Sequence, residues 1–405
     1  MAEEGKTNEI AKTINPRNTS PSPLPRSGHR CVADDRNVYV FGGYSPHYSE
    51  KLFRELWRFN IASQCWSRVI TTGPFPSSVC SSCVLLNKGN LIVYGGSGIP
   101  FGQSNSAQLH ICLLSKKEWI ELETTSTKIK NRRQEGSDQE DSEDDDSDID
   151  DELAGYLYDK KPSLPIPGYG QSMVLSPDQD LYVFAGTTGH MFNCYLSKFS
   201  FKTKEWKYVS TQNESVPFPR YRHEAVDYKG SFYVIGGGMG STDPQEFYNL
   251  DKVHAFCYQT NKWQVYECLV SQEHGIPPRR RCHGCVLYKD AVYICGGYDG
   301  QTIYNDVWSL DLVRFQWTKL PKILPYPVYF HSAAITPGGC MYIFGGVKSM
   351  QADTDARSSD IHKLWLTVPS LLDLSVQCLM SHVPDVEHVS PEKFAELGIP
   401  PHLIA

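Results

Sequence analysis

One block of sequence recurs six times and restricts the fold more than any other feature: an apolar run of four residues closed by two small ones. The copies are Val38-Tyr-Val-Phe-Gly42-Gly43, Leu91-Ile-Val-Tyr-Gly95-Gly96, Leu181-Tyr-Val-Phe-Ala185-Gly186, Phe232-Tyr-Val-Ile-Gly236-Gly237, Val292-Tyr-Ile-Cys-Gly296-Gly297 and Met341-Tyr-Ile-Phe-Gly345-Gly346. Such residues favour a packed strand, and paired glycines let the backbone turn where a Cβ would clash. The third copy departs from the others at Ala185.

Each run is preceded by another short strand, introduced by an arginine and a histidine in Arg26-Ser-Gly-His29, Arg220-Tyr-Arg-His223 and Arg280-Arg-Cys-His283, and by the histidine without the arginine in Pro327-Val-Tyr-Phe-His331. The second and third repeats have neither. A third strand follows the glycines, as in Leu56-Trp-Arg-Phe and Val307-Trp-Ser-Leu, and a fourth carries Trp66, Trp119, Trp206, Trp263 or Trp317. Four strands make one propeller blade, so six units over residues 24–368 predict an all-β, six-bladed β-propeller. A chain of 405 residues with 31 Gly and 26 Pro suits many short strands joined by tight turns. Only five tryptophan-bearing fourth strands are present, so residues 1–23, and Ile10 to Ile14 in particular, are expected to supply the strand that closes the last blade.

Between blades two and three, residues 124–160 read as an acidic, solvated insertion: Gln134 to Glu152 holds twelve Asp or Glu and no Lys or Arg. Without those twelve, 34 acidic residues face 39 basic ones, so the remainder carries about +5 although the whole chain is −7. Ser137, Ser142 and Ser147 precede acidic residues as sites of acidophilic kinases do. The acidic sign, with no basic stripe interleaved with aromatics, argues against a nucleic-acid partner. No run reaches the roughly 18 apolar residues of a membrane span, and no apolar leader follows Met1, so no membrane partner and a cytoplasmic chain, also compatible with the nucleus, are expected. Thirteen cysteines then read as small buried hydrophobes in a reducing compartment.

Cys80-Ser-Ser-Cys83 and Cys282-His-Gly-Cys285 have the spacing of zinc half-sites, but they fall in blades two and five, on opposite sides of the ring. No metal site and no cofactor are expected. No nucleophile elbow, phosphate loop or carboxylate pair stands outside the repeat, so no catalytic residue and no enzymatic activity are expected.

The loops that lead into the first strands of all blades should gather at one mouth of the central channel. The recurring Arg and His are assigned to contacts between blades. The residues between them differ from blade to blade and are expected to face the mouth: Tyr221 with Arg222, Arg281 with Cys282, and Tyr329 with Phe330. Two arginines amid aromatics suit a terminal carboxylate, which guanidinium binds through bidentate charge-assisted bonds.

After Pro369 the periodicity turns helical. Ser370 with Asp373 forms a capping box ahead of Leu371, Leu372, Ser375, Val376 and Leu379, and a second helix is expected from Ser390-Pro391 to Gly398.

The double glycine with its spaced tyrosine and tryptophan resembles the kelch repeat. Arg26-Ser-Gly-His-Arg-Cys-Val-Ala, Leu52-Phe-Arg-Glu-Leu-Trp, the Gly98-Ile-Pro-Phe-Gly segment, Arg220-Tyr-Arg-His-Glu and the Leu364-Trp-Leu end are similar to the kelch domain-containing protein 10 family. That family supplies substrate receptors to cullin-2 RING ubiquitin ligases and reads C-terminal degrons ending in Gly or Ala. The tail at 369–405 resembles the docking boxes of such receptors: Ser370, Leu371, Ser375 and Leu379 match the elongin-binding box, and Ile399, Pro400 and Leu403 match the cullin-2 box, which lacks its final apolar position here. The resemblance implies elongin C, elongin B, cullin-2 and a RING subunit as partners, and substrate C-termini as ligands, with ubiquitination leading to proteasomal degradation. The family is also linked to stress-activated kinase signalling through a protein phosphatase, so a kelch scaffold acting without ubiquitin is the alternative. A helical hairpin that merely packs on the propeller is the plain reading of the tail.

Overall fold

The apolar runs each form the second strand of a four-stranded antiparallel sheet, and six such sheets form a closed ring. The structure, a computed structural model, describes residues 9–17, 21–126, 163–210, 215–240, 247–349, 356–371, 373–375, 378 and 396. Blade one consists of Arg30–Ala33, Asn37–Phe41, Leu56–Asn60 and Cys65–Arg68, from the channel outward. The innermost strands of the other five are Cys83–Asn87, Ser172–Leu175, Glu224–Tyr228, Gly284–Tyr288 and Ser332–Ile335, each beside the next, and the last returns to Arg30–Ala33.

Alternate side chains of a strand point to opposite faces, and both faces of a blade are covered by neighbouring blades. Val38 and Val40 therefore pack toward blade six, with Ile361 and Phe344, while Tyr39 and Phe41 pack toward blade two, with Leu91 and Val93. This is why the runs are apolar throughout rather than alternating. Six such clusters, one per interface, make up the core, and Trp119, Trp206, Trp263 and Trp317 are fully buried within them.

Closure is made by the start of the chain. Lys12–Ile14 pairs antiparallel with Ile361–Trp365 as the outer strand of blade six, and Glu9–Ile10 pairs parallel with Gln316–Ile323 of blade five. The strap buries Ala11 against Leu324 and Leu364, and Ile14 beside Trp66 and Phe344. Of the acidic insertion only 124–126 is described: Thr125–Ser126 adds a parallel strand to the outer edge of blade three. Gln134 to Glu152, with Ser137, Ser142 and Ser147, lies outside the described residues.

Past Pro369 the capping box forms. The Ser370 hydroxyl and backbone N–H both donate to the Asp373 carboxylate, at 2.5 and 3.1 Å, and the Asp373 N–H donates back to Ser370 Oγ at 3.1 Å. Asp373 approaches Gly338, in the turn between the first two strands of blade six.

Candidate functional site: the propeller mouth

The site is built on two rings of backbone hydrogen bonds. The second small residue of each doublet donates its N–H to a carbonyl in the following blade: Gly43 to Val79, Gly96 to Gly168, Gly186 to Arg220, Gly237 to Arg280, Gly297 to Val328 and Gly346 to Arg26. Two residues further along the leading loops a tighter ring closes on itself. Ser81 N–H donates to Gly28, Gly170 to Ser81, Arg222 to Gly170, Cys282 to Arg222, Phe330 to Cys282 and Gly28 to Phe330, over 2.7 to 3.3 Å. Turning the carbonyls inward around so small a circle requires the left-handed region, and all six residues have φ between +55° and +66°. Ser81, Arg222, Cys282 and Phe330 hold it without being glycine, a strain of the kind found at ligand sites.

The recurring arginine spans blades only through its backbone carbonyl, which accepts from the preceding blade's doublet. Its side chain clamps its own blade: Arg26, Arg220 and Arg280 donate to the carbonyls of Gly42, Gly236 and Gly296 at 2.9 to 3.0 Å and lie over Phe53, Tyr248 and Tyr304. Arg26 also pairs with Glu55, and Arg280 with Asp306. Burial pulls Arg220 down to about 10. The histidine does reach the preceding blade, through the Phe344 carbonyl for His29 and Ser172 Oγ for His223.

Above the tight ring lies the mouth. Arg222, 5% exposed, donates to Ser81 Oγ across the ring and stacks on Phe330 at 4.5 Å. Its Nε has no partner among the described residues. Arg281, 6% exposed, donates to the Met239 carbonyl and lies over Phe247, Tyr221 and Tyr298 at 4.5, 5.3 and 5.9 Å. Tyr329 joins Tyr298 to Phe330 through ring contacts of 5.2 Å each. Tyr221, Arg222, Arg281, Tyr329 and Phe330 are thus gathered in one place. Cys282 is buried, contributes its backbone to the ring, and has its thiol pushed up to about 11 by burial.

Several residues of the mouth carried less signal. Tyr44 and Tyr298 directly follow a double glycine and pair with Ser27 and Arg281 of the leading loops, a repeat position that could have been read from spacing. Phe192, which opens a strand, and Phe247 pair with the residue after the doublet at unequal distances along the chain, so spacing hid them, and Phe101 carried signal only within the Gly98-Ile-Pro-Phe-Gly segment. Phe101 packs on Tyr169 at 4.8 Å and Tyr44 at 6.4 Å, and Arg357 lies over Tyr44 at 5.4 Å.

Below the ring is a polar cavity of about 150 Å³ on the channel axis. Arg30 of blade one and Glu224 of blade four pair across it at 2.5 Å. Cys83 and Cys285 line it with thiols raised by burial, Cys83 to about 12. Among the described residues no three His, Cys, Asp or Glu side chains converge as metal ligands.

In the tail, Leu371 is 82% exposed, with Ser370, Val368 and Leu374 also exposed and Ser375 on the same short helix. Leu379, Ile399, Pro400 and Leu403 lie outside the described residues, and of the second helix expected from Ser390 to Gly398 only Glu396 is described, as helical.

The sequence matches the KLHDC2/KLHL20/DRC7 Kelch-repeats domain over residues 6–137 and 156–346. It is 39% identical to human kelch domain-containing protein 10 over 94% of this chain and 79% of that protein. The same identity relates it to the Xenopus tropicalis protein, over 95% of this chain and 85% of the relative, and 29% identity to the Drosophila melanogaster homolog, over 93% and 61%. Ring, repeats and relatives agree: the chain belongs to the kelch domain-containing protein 10 family.

Proposed function

We propose that this kelch-repeat propeller, a protein-binding platform, is the substrate receptor of a cullin-2 RING ubiquitin ligase acting in the cytoplasm. Its mouth holds the C-terminus of a target and its tail docks elongin C, while catalysis resides in other subunits. The observation that supports the reading is that the mouth with its arginines and aromatics and the exposed Leu371 lie on opposite faces. The tail helix starts beside the turn at Gly338, on the side of blade six away from the mouth, and presents Leu371 to solvent on a capped first turn. A substrate in the mouth and an adaptor on Leu371 therefore do not compete for space. Exposure of Val368, Leu371 and Leu374 suits insertion of an apolar helix face into a partner's groove.

In the mouth, Arg222 carries an Nε without a partner among the described residues, in a buried, aromatic setting where a carboxylate would gain charge-assisted hydrogen bonds. Tyr221, Tyr329 and Phe330 supply the walls that exclude water from that contact.

Leu371→Ala should leave the unfolding curve unchanged and abolish co-purification of elongin C and cullin-2. Arg222→Glu should weaken a peptide with a free terminal glycine by about 2–5 kcal/mol, and amidating the peptide should weaken its binding to the unmutated protein comparably. Equal affinity for the free and amidated peptides would remove chain-end recognition from the mouth. Undiminished elongin recovery from a folded Leu371→Ala protein would leave the scaffold reading, in which a phosphatase or kinase is bound without ubiquitin.

A further inference from the structure

The mouth is not uniform around its rim. Its cationic side chains Arg222, Arg281 and Arg357 come from blades four to six, whereas blades two and three raise apolar ones. Ile99, Phe101 and Met191 are about half exposed, with Phe101 at 48%. Their two loops are tied to each other. Asn105 donates to the carbonyls of Gly102 and Thr188 at 2.9 and 2.6 Å, Gly102 N–H donates to Ser97 Oγ, and Thr187 Oγ1 donates to the Met191 carbonyl. Gly189 sits so close to Gly102 that a Cβ would lie 1.9 Å from the Gly102 carbonyl. Exposed apolar side chains cost least where the backbone beneath them is already ordered, and a braced loop loses little further freedom when a ligand covers it.

We infer that this rim is a second subsite, one that selects an apolar side chain upstream of the chain end, with Phe101 as its specificity-determining residue. The inference rests on the chain-end reading of the mouth given above. Phe101 packs on Tyr169, Tyr169 is followed by Gly170, and the Gly170 carbonyl accepts the Arg222 N–H at 2.8 Å. Tyr169 also lies near enough to the Arg222 guanidinium to feel its charge, so a chain held there reaches the Phe101 ring across a span on the order of 10 Å, about three extended residues. A peptide whose carboxylate meets Arg222 thus brings its third or fourth residue from the end onto Phe101, Ile99 and Met191. An acidic residue there would be desolvated against apolar carbon, and a leucine would bury it. The ligand is accordingly a chain end of split character, anionic at the terminus and apolar a few residues before it.

The test uses fluorescein-labelled ten-residue peptides ending in a free glycine carboxylate, with leucine or aspartate at the third and fourth positions from the end and serine elsewhere. The full-length protein should bind the leucine peptide about tenfold more tightly by fluorescence anisotropy. Phe101→Ala, at an exposed position that leaves the core intact, should narrow that ratio to less than about threefold while the free peptide stays preferred over its amide. Equal affinity for the leucine and aspartate peptides, with the free terminus still preferred over the amide, would overturn the subsite and leave chain-end reading standing. Binding of neither peptide would overturn both. A leucine preference unchanged in Phe101→Ala would place the selecting surface elsewhere and overturn the assignment of Phe101.

Discussion

Gly42 shows how much of this ring is decided by single atoms. It sits at φ +68°, and a Cβ placed on it would lie 2.3 Å from the Val79 carbonyl of the next blade. Gly89, at φ +73°, has nothing within 4 Å of the same position. Both substitutions by alanine incur left-handed strain of about 1 kcal/mol, but only Gly42→Ala must also push a neighbouring blade aside. Urea unfolding should therefore show Gly42→Ala destabilised by at least about 2 kcal/mol more than Gly89→Ala. Equal losses would mean that the doublet serves only its own turn. Arg222 is the counterpart at this scale: a non-glycine residue in the left-handed region whose side chain crosses the ring to Ser81. The arginines and aromatics between the recurring residues were legible in the sequence because they broke a strict repeat. Which of them shared a wall was not, because ring contacts between blades depend on the radius of the channel.

At the scale of elements, the strap at Glu9–Ile10 and Lys12–Ile14 does what no repeat can do for itself. Without it Ile361–Trp365 would be an unpaired edge, open to pairing with another chain. Ile14 is buried in the cluster that holds Trp66 and Phe344, so Ile14→Asp would place a carboxylate in an apolar interface. The expected result is a loss of about 3 kcal/mol or more, with protease cleavage appearing first near the sixth blade. A fully stable Ile14→Asp protein would show that the ring closes without the strap. The count of five tryptophan-bearing fourth strands pointed to this strand. The parallel addition of Glu9–Ile10 to blade five, and of Thr125–Ser126 to blade three, had no such signal, since a two-residue strand is defined by the edge it meets.

Taken as a whole molecule, the ring holds buried histidines, kept neutral, between its blades. Burial pushes His283 and His331 down to about 3, and His29 and His223 well below the usual imidazole value. The unfolded chain binds protons near pH 6.5 and the folded ring does not. The stability these residues contribute is therefore complete above about pH 6.5 and is lost as pH falls toward 3. Each such histidine should remove about 1.4 kcal/mol per pH unit in that window. Asp306 is buried, but Arg280 holds its carboxyl below the usual range, so its loss comes at lower pH and does not account for a slope above pH 5. Unfolding free energy should thus fall steeply between pH 6.5 and 5, and His283→Gln should flatten the slope. A flat profile in that range would exclude buried neutral histidines as the source.

By itself the sequence determined the blade count, the identity of each second strand and the capping box after Pro369, because these depend on residue types at fixed spacing along the chain. It also marked Arg222, Arg281, Tyr221, Tyr329 and Phe330, since loop residues that vary within a repeat are released from building it. Only the tertiary structure decided that the recurring arginines clamp their own blade, that six backbone groups close a hydrogen-bonded ring beneath the mouth, and that Phe101 stands over Tyr169. Those outcomes depend on distances between blades far apart in sequence, and such distances are fixed only when six sheets pack around one axis.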